Sequence, residues 1–119
     1  MTEWVYKILP AAHWLQMQAD GALIPQGLDA SDGFVHLSSG KQVAETLAKH
    51  FSGQKDLMLL RFQAAAFGEA LRWEVSRAGH LFPHLYAPLR QQNVVQVLAL
   101  PHCKGDNLLP DDWQPEETG

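Results

Sequence analysis

The polar and apolar positions of this chain change period several times, and each change marks an element. WVYKIL at residues 4–9 is aromatic and branched, stops at Pro10, and predicts a first strand. From Ala11 to Asp20 the residues are helix formers, with Trp14, Leu15 and Ala19 at helical spacing and Gly21 placed to stop the helix. GALIPQGLDASD, residues 21–32, holds two Gly, one Pro and three Asp or Ser, the composition of a loop. GFVHLS, residues 33–38, returns to strand character. Ser39 and Gln42 then form a capping-box pattern ahead of Val43, Leu47 and Phe51, one apolar stripe that runs to Gly53. DLMLLRFQ (56–63) predicts a buried strand, LRWEV (71–75) a half-exposed one, and VVQVLAL (94–100) a last strand. AGHLFPHLYAPL between them reads as an ordered loop or short strand with a tight turn. The order is β-α-β-α-β-β-loop-β, which predicts a compact α+β domain with two early helices packed on antiparallel sheets.

Length and charge narrow this picture. A chain of 119 residues folds around one core. The expected division is a single domain over residues 1–105 and an acidic tail over 106–119, because five acidic groups and no Lys or Arg fall in the tail. The body, with 9 basic and 8 acidic groups, has no basic footprint for extended nucleic acid, so a single nucleotide or an RNA end is the largest such ligand expected. No apolar run reaches the roughly 20 residues of a membrane span, and the N-terminus lacks the pattern of a secretory signal. A cytoplasmic protein is the expectation, and the lone cysteine, Cys103, fits a reducing compartment. No glycine-rich phosphate loop is present.

The candidate chemistry sits on strands. Alternation places Phe34, His36 and Ser38 on one face of GFVHLS, with Ser38 just ahead of a helix N-terminus, where free N–H groups suit an anion. His36 is then either a core histidine bonded to backbone or part of a binding site. In LRWEVS the same rule groups Arg72, Glu74 and Ser76, so Glu74 is either a solvated carboxylate or a group facing a cleft, able to accept a proton or a sugar hydroxyl. His84 and the Tyr86 hydroxyl are placed to line the rim of a pocket, while Phe82 and Leu85 pack. His36, His84 and Glu74 are a conceivable metal set, but no close HxH or HExxH spacing supports one, and no metal is expected. Cys103 beside His102 lacks the marks of an activated nucleophile.

YKILP, DGFVHLSSGKQ, RWE and FPHLYAPL, in this order and spacing, resemble domain-of-unknown-function family 952, small bacterial and plant proteins, from about Val5 to Leu100. That family is distantly similar to the ADP-ribosyltransferase fold, which binds NAD in a cleft between antiparallel sheets, and FVHLS resembles the HLS stretch of RNA 2'-phosphotransferases. The resemblance implies NAD as cofactor, with Lys7 standing where those enzymes keep His or Arg. It further implies His36 and Ser38 as the second-motif groups and Glu74 as the acid that orients the nicotinamide ribose. An oxocarbenium-like state gains from such a carboxylate. Tyr6, Trp73 and Tyr86 are the aromatics available to stack on a base, although strand phase puts Trp73 in the core. Lysine has neither the fork of Arg nor the ring of His, which sets this chain apart from the usual NAD pose. The expected function is binding of NAD, ADP-ribose or a related nucleotide, with ADP-ribosyl or phosphate transfer. A non-catalytic interaction module of the same fold, with the tail from Asp106 contacting a partner, is the alternative.

Overall fold

The computed structural model describes residues 3–76, 79–100, 102–103 and 106–107. The acidic stretch 108–119 lies outside the described residues, as do the side chains of His102 and Cys103. Along the chain run β1 (Trp4–Pro10), α1 (Ala11–Asp20), α2 (Leu28–Asp32), β2 (Val35–His36), β3 (Ser38–Ser39), α3 (Val43–His50), β4 (Leu57–Gln63), β5 (Leu71–Val75), β6 (Leu81–Leu85) and β7 (Gln96–Leu100). Two sheets form, one in the order β3-β1-β4-β7 and one in the order β2-β6-β5, with every pairing antiparallel. A two-residue pair, His102–Cys103 with Asp106–Asn107, follows β7. The chain is a single α+β domain.

Why β4 is apolar almost throughout follows from where its two faces go. Leu60 and Phe62, with Val5 and Leu9 of β1, face Val35 and Leu85 of the second sheet and Met17 of α1. Leu57 and Leu59, with Tyr6 and Ile8, face Val43 and Leu47 of α3. The first sheet is thus sandwiched between the second sheet and a helix, and alternate residues of one strand feed two cores. Residue by residue, burying a leucine this completely contributes about 2 kcal/mol. Tyr6, only 2% exposed, belongs to the α3-side core. Trp73 packs against the core between the sheets, as its strand phase predicts.

Three elements differ from the sequence expectation. The segment 21–32, expected as loop, contains α2, bracketed by Gly27 and by Gly33 in the left-handed conformation at φ 80°, whose N–H returns to the Asp29 carbonyl. Five residues without an apolar stripe leave no helical period to read. The predicted helix from Ser39 begins as a 3-10 turn, Gly40–Gln42, and its α-helical part stops at His50, short of Gly53. The capping box is present, with the Ser39 N–H donating to Gln42 Oε1 at 3.0 Å, and Gln42 Nε2 donates onward to the Leu81 carbonyl at 2.7 Å. Finally, GFVHLS is two short strands. β2 pairs with β6 and β3 with β1, so the chain passes from one sheet to the other at Leu37.

Pro83 explains that handover. It sits in the central strand of the second sheet, and its carbonyl accepts the Leu37 N–H at 3.0 Å. In a strand a residue's N–H and C=O point the same way, so the donor Pro83 lacks would have aimed at Leu37 too. Pairing with β6 therefore ends there, and the next residue, Ser38, finds its partner in Tyr6 of β1.

Candidate functional site

Between β1, α2 and the strand that changes sheets lies a cluster of charged groups. Asp29, in the first turn of α2, is 7% exposed and uses both carboxylate oxygens. Oδ2 accepts the Lys7 ammonium at 2.8 Å, while Oδ1 meets the His36 backbone N–H at 2.9 Å and His36 Nδ1 at 2.6 Å. Lys7 Nζ also donates to the His36 carbonyl at 3.0 Å. On the other side of the ring, His36 Nε2 lies 3.1 Å from Asp32 Oδ2. The imidazole thus stands between two carboxylates, one at each ring nitrogen. Burial pushes the Asp29 carboxyl up, but the hydrogen bond from His36 and the charge of Lys7 outweigh it, holding the group below its ordinary value.

This cluster forms one wall of a cavity of about 610 Å³. Lys7, Asp29, Asp32, His36 and Ser38 line it, together with His13 of α1, Thr46 and His50 of α3, and an apolar share from Leu9, Leu23, Ile24 and Phe82. The size falls in the range of small-molecule and cofactor sites, and the mix of apolar wall with a few convergent polar groups is their usual character. Ser38 is buried with its hydroxyl 2.8 Å from that of Thr46.

Glu74, His84 and Tyr86 lie outside the cavity lining and form a second cluster on the same face of the second sheet. Register puts His84 opposite both His36 and Arg72, and Glu74 opposite Phe82. Glu74 Oε1 accepts the Tyr86 hydroxyl at 2.7 Å and faces His84 Nδ1 at 3.0 Å. These two contacts, Tyr86 first, hold the Glu74 carboxyl below its ordinary value, and the same bond to Glu74 raises the Tyr86 phenol. The Arg72 guanidinium lies 5.0 Å from the centre of the Tyr86 ring.

Phe34 joins the two clusters. Its ring centre is 4.2 Å from that of His84, 4.6 Å from that of His36 and 5.1 Å from that of Tyr86. The sequence-predicted residues therefore fall into two groups. Lys7, His36 and Ser38 line the cavity, and Glu74, His84 and Tyr86 stand beside it. Asp29 and Asp32, which the sequence reading left in a loop, are the residues that hold the imidazole. Their spacing of three, closed by Gly33 just before the strand, is the signal that would have brought them forward.

Fold and site together define a class: a two-sheet α+β domain with a pocket beside β1, lined by α1, α2 and α3, that carries a lysine–aspartate–histidine network. The chain belongs to the family described as "Protein of unknown function (DUF952)", whose sequence model matches residues 8–97. It is similar to protein CC0527 from Caulobacter crescentus. The crystal structure of that protein has 44% sequence identity and a TM-score of 0.83, with 87% of this chain and 92% of the other covered. The solution NMR structure of CC0527 aligns at 43% identity and a TM-score of 0.78, covering 87% and 90%. No curated protein matches the chain. Among the described residues no group of three or more His, Cys, Asp or Glu could hold a metal ion, and no helix is long and apolar enough to cross a membrane.

Proposed function

We propose that the pocket beside β1 binds a small nucleotide of the NAD or ADP-ribose class and that His36, backed by Asp29, moves a proton to or from it in ADP-ribosyl or phosphate transfer. The observation that carries this reading is the Asp29–His36 pair set into the wall of a ligand-sized cavity. A buried carboxylate on Nδ1 fixes the ring's orientation and stabilises it when Nε2 takes a proton, the arrangement that makes a histidine a general base. Asp32 Oδ2 lies 3.1 Å from Nε2, so a ligand that reaches the ring also meets that carboxylate. Glu74 has the charge to attract an electron-poor ribose in a ligand extending past Phe34, the role that the resemblance to ADP-ribosyltransferases implies. Ser38, His84 and Tyr86 are the further contacts in this reading.

A second reading, a binding module without chemistry, draws on Lys7. Two of its three donors are committed to Asp29 and the His36 carbonyl, so it contributes little free charge to a phosphate.

Thermal unfolding with NAD, ADP-ribose and a 2'-phosphorylated RNA tests both. A ligand present at a hundredfold over its dissociation constant stabilises the folded state by about 2.7 kcal/mol, enough to move the melting temperature by several degrees. His36→Asn should keep binding within a few-fold but abolish release of nicotinamide from NAD, or of phosphate from the RNA. Binding without turnover in the wild type establishes the module, and three unchanged melting temperatures refute both readings.

A further inference from the structure

The network from Asp29 to Asp32 is ordered by exposure. The side chain of Asp29 is 8% exposed, that of His36 29% and that of Asp32 44%, so the chain of contacts climbs from the core to the mouth of the cavity. Charges alternate along it. Lys7 and Asp29 cancel at 2.8 Å, which leaves Asp32 as the formal charge that the wall presents to a ligand. Asp32 makes one contact, through Oδ2 to His36, and its Oδ1 has no protein partner among the described residues. A carboxylate oxygen accepts hydrogen bonds and repels anions, so this end of the pocket selects hydroxyl or cationic groups over phosphate.

We infer that Asp32 is a ligand-binding residue that, together with His36 Nε2, reads the vicinal hydroxyls of a ribose. This rests on the nucleotide reading of the pocket and specifies which part of the nucleotide lies against the charged wall. Nε2 and Oδ2 stand 3.1 Å apart, a separation on the scale of the two adjacent oxygens of a cis-diol. One hydroxyl bonds to the imidazole and its neighbour donates to the carboxylate. The phosphates are directed away, toward the part of the wall built by His13 of α1 and His50 of α3. The ligand class that follows is a ribonucleoside or ribonucleotide with both ribose hydroxyls free, and a sugar lacking the 2'-hydroxyl is discriminated against.

Calorimetric titration with nicotinamide riboside, its 2'-deoxy analogue and ADP-ribose tests this in the wild type and in Asp32→Asn, which folds because the side chain is at the surface. Hydrogen bonds to a charged group are worth about 1.5–3 kcal/mol, so the wild type should bind the riboside roughly ten- to hundredfold more tightly than the deoxy analogue. Asp32→Asn should lose most of that preference while binding the deoxy analogue as the wild type does. Equal affinity for riboside and deoxy analogue in the wild type overturns the inference, as does an unchanged preference in Asp32→Asn. In both cases nucleotide binding itself stands. Absence of binding for all three ligands overturns the inference and the nucleotide reading together.

Discussion

Asp29 carries two loads, since it neutralises a lysine in the core and fixes a histidine in the pocket wall. Removing its charge leaves the Lys7 ammonium, 13% exposed, without a counterion. Asp29→Asn should cost about 3 kcal/mol, read from chemical denaturation. The pH dependence has a defined sign. The folded-state carboxyl lies below its ordinary value, so its stabilisation is complete above the unfolded value near 4 and is lost as pH falls through the lower, folded one. Asp29→Asn should remove that part of the slope. At the neighbouring cluster Tyr86→Phe deletes the first hydrogen bond on Glu74, and carboxyl NMR should show Glu74 titrating at higher pH than in the wild type. How far the sequence exposed these residues depends on their neighbours. His36 and Glu74 lie in strands whose alternation assigns each to a face, and both faces are as the alternation predicts. Asp29 and Asp32 lie in LDASD, which has no periodicity to lend them direction, and only their contacts with a histidine seven and four residues on give them a role.

Among the elements, the start of the helical segment at Ser39 was legible because its cap is a local device, although its opening as a 3-10 turn was not. Gln42, however, does more than cap. Its carboxamide oxygen accepts the Ser39 N–H and its nitrogen donates to Leu81 in β6, tying the helix start to the second sheet. Gln42→Ala should therefore destabilise by more than the roughly 1 kcal/mol expected for Ser39→Ala, as measured by urea unfolding of both variants. Helix α2 depends on its exit. Gly33 sits at φ 80°, and a Cβ there would meet nothing within 4 Å, so a substitution is resisted by the backbone alone. Gly33→Ala should cost about 1–2 kcal/mol and should also shift the His36 ring resonances in NMR, since Asp29 and Asp32 move with the helix. The break between β2 and β3 was hidden because Phe34, His36 and Ser38 alternate straight through it. The information lies 46 residues downstream of Leu37, in a proline that cannot return a hydrogen bond.

For the whole molecule, the class of fold followed from the succession of periods, and the doubly buried β4 followed from its apolar run, interrupted only at Arg61. Which strands join which sheet did not, because pairing is decided between residues far apart in sequence. The handover at Leu37 has a mechanical meaning. A single residue separates a strand of one sheet from a strand of the other, like the rivet of a pair of tongs, and His36 is adjacent to that rivet. Lys7 of the first sheet bonds both Asp29 and the His36 carbonyl beside it, so side chains tie the sheets at the same end of the cavity. The Asp29–His36 end of the cavity is thereby braced twice, once by the backbone and once by its own bonds.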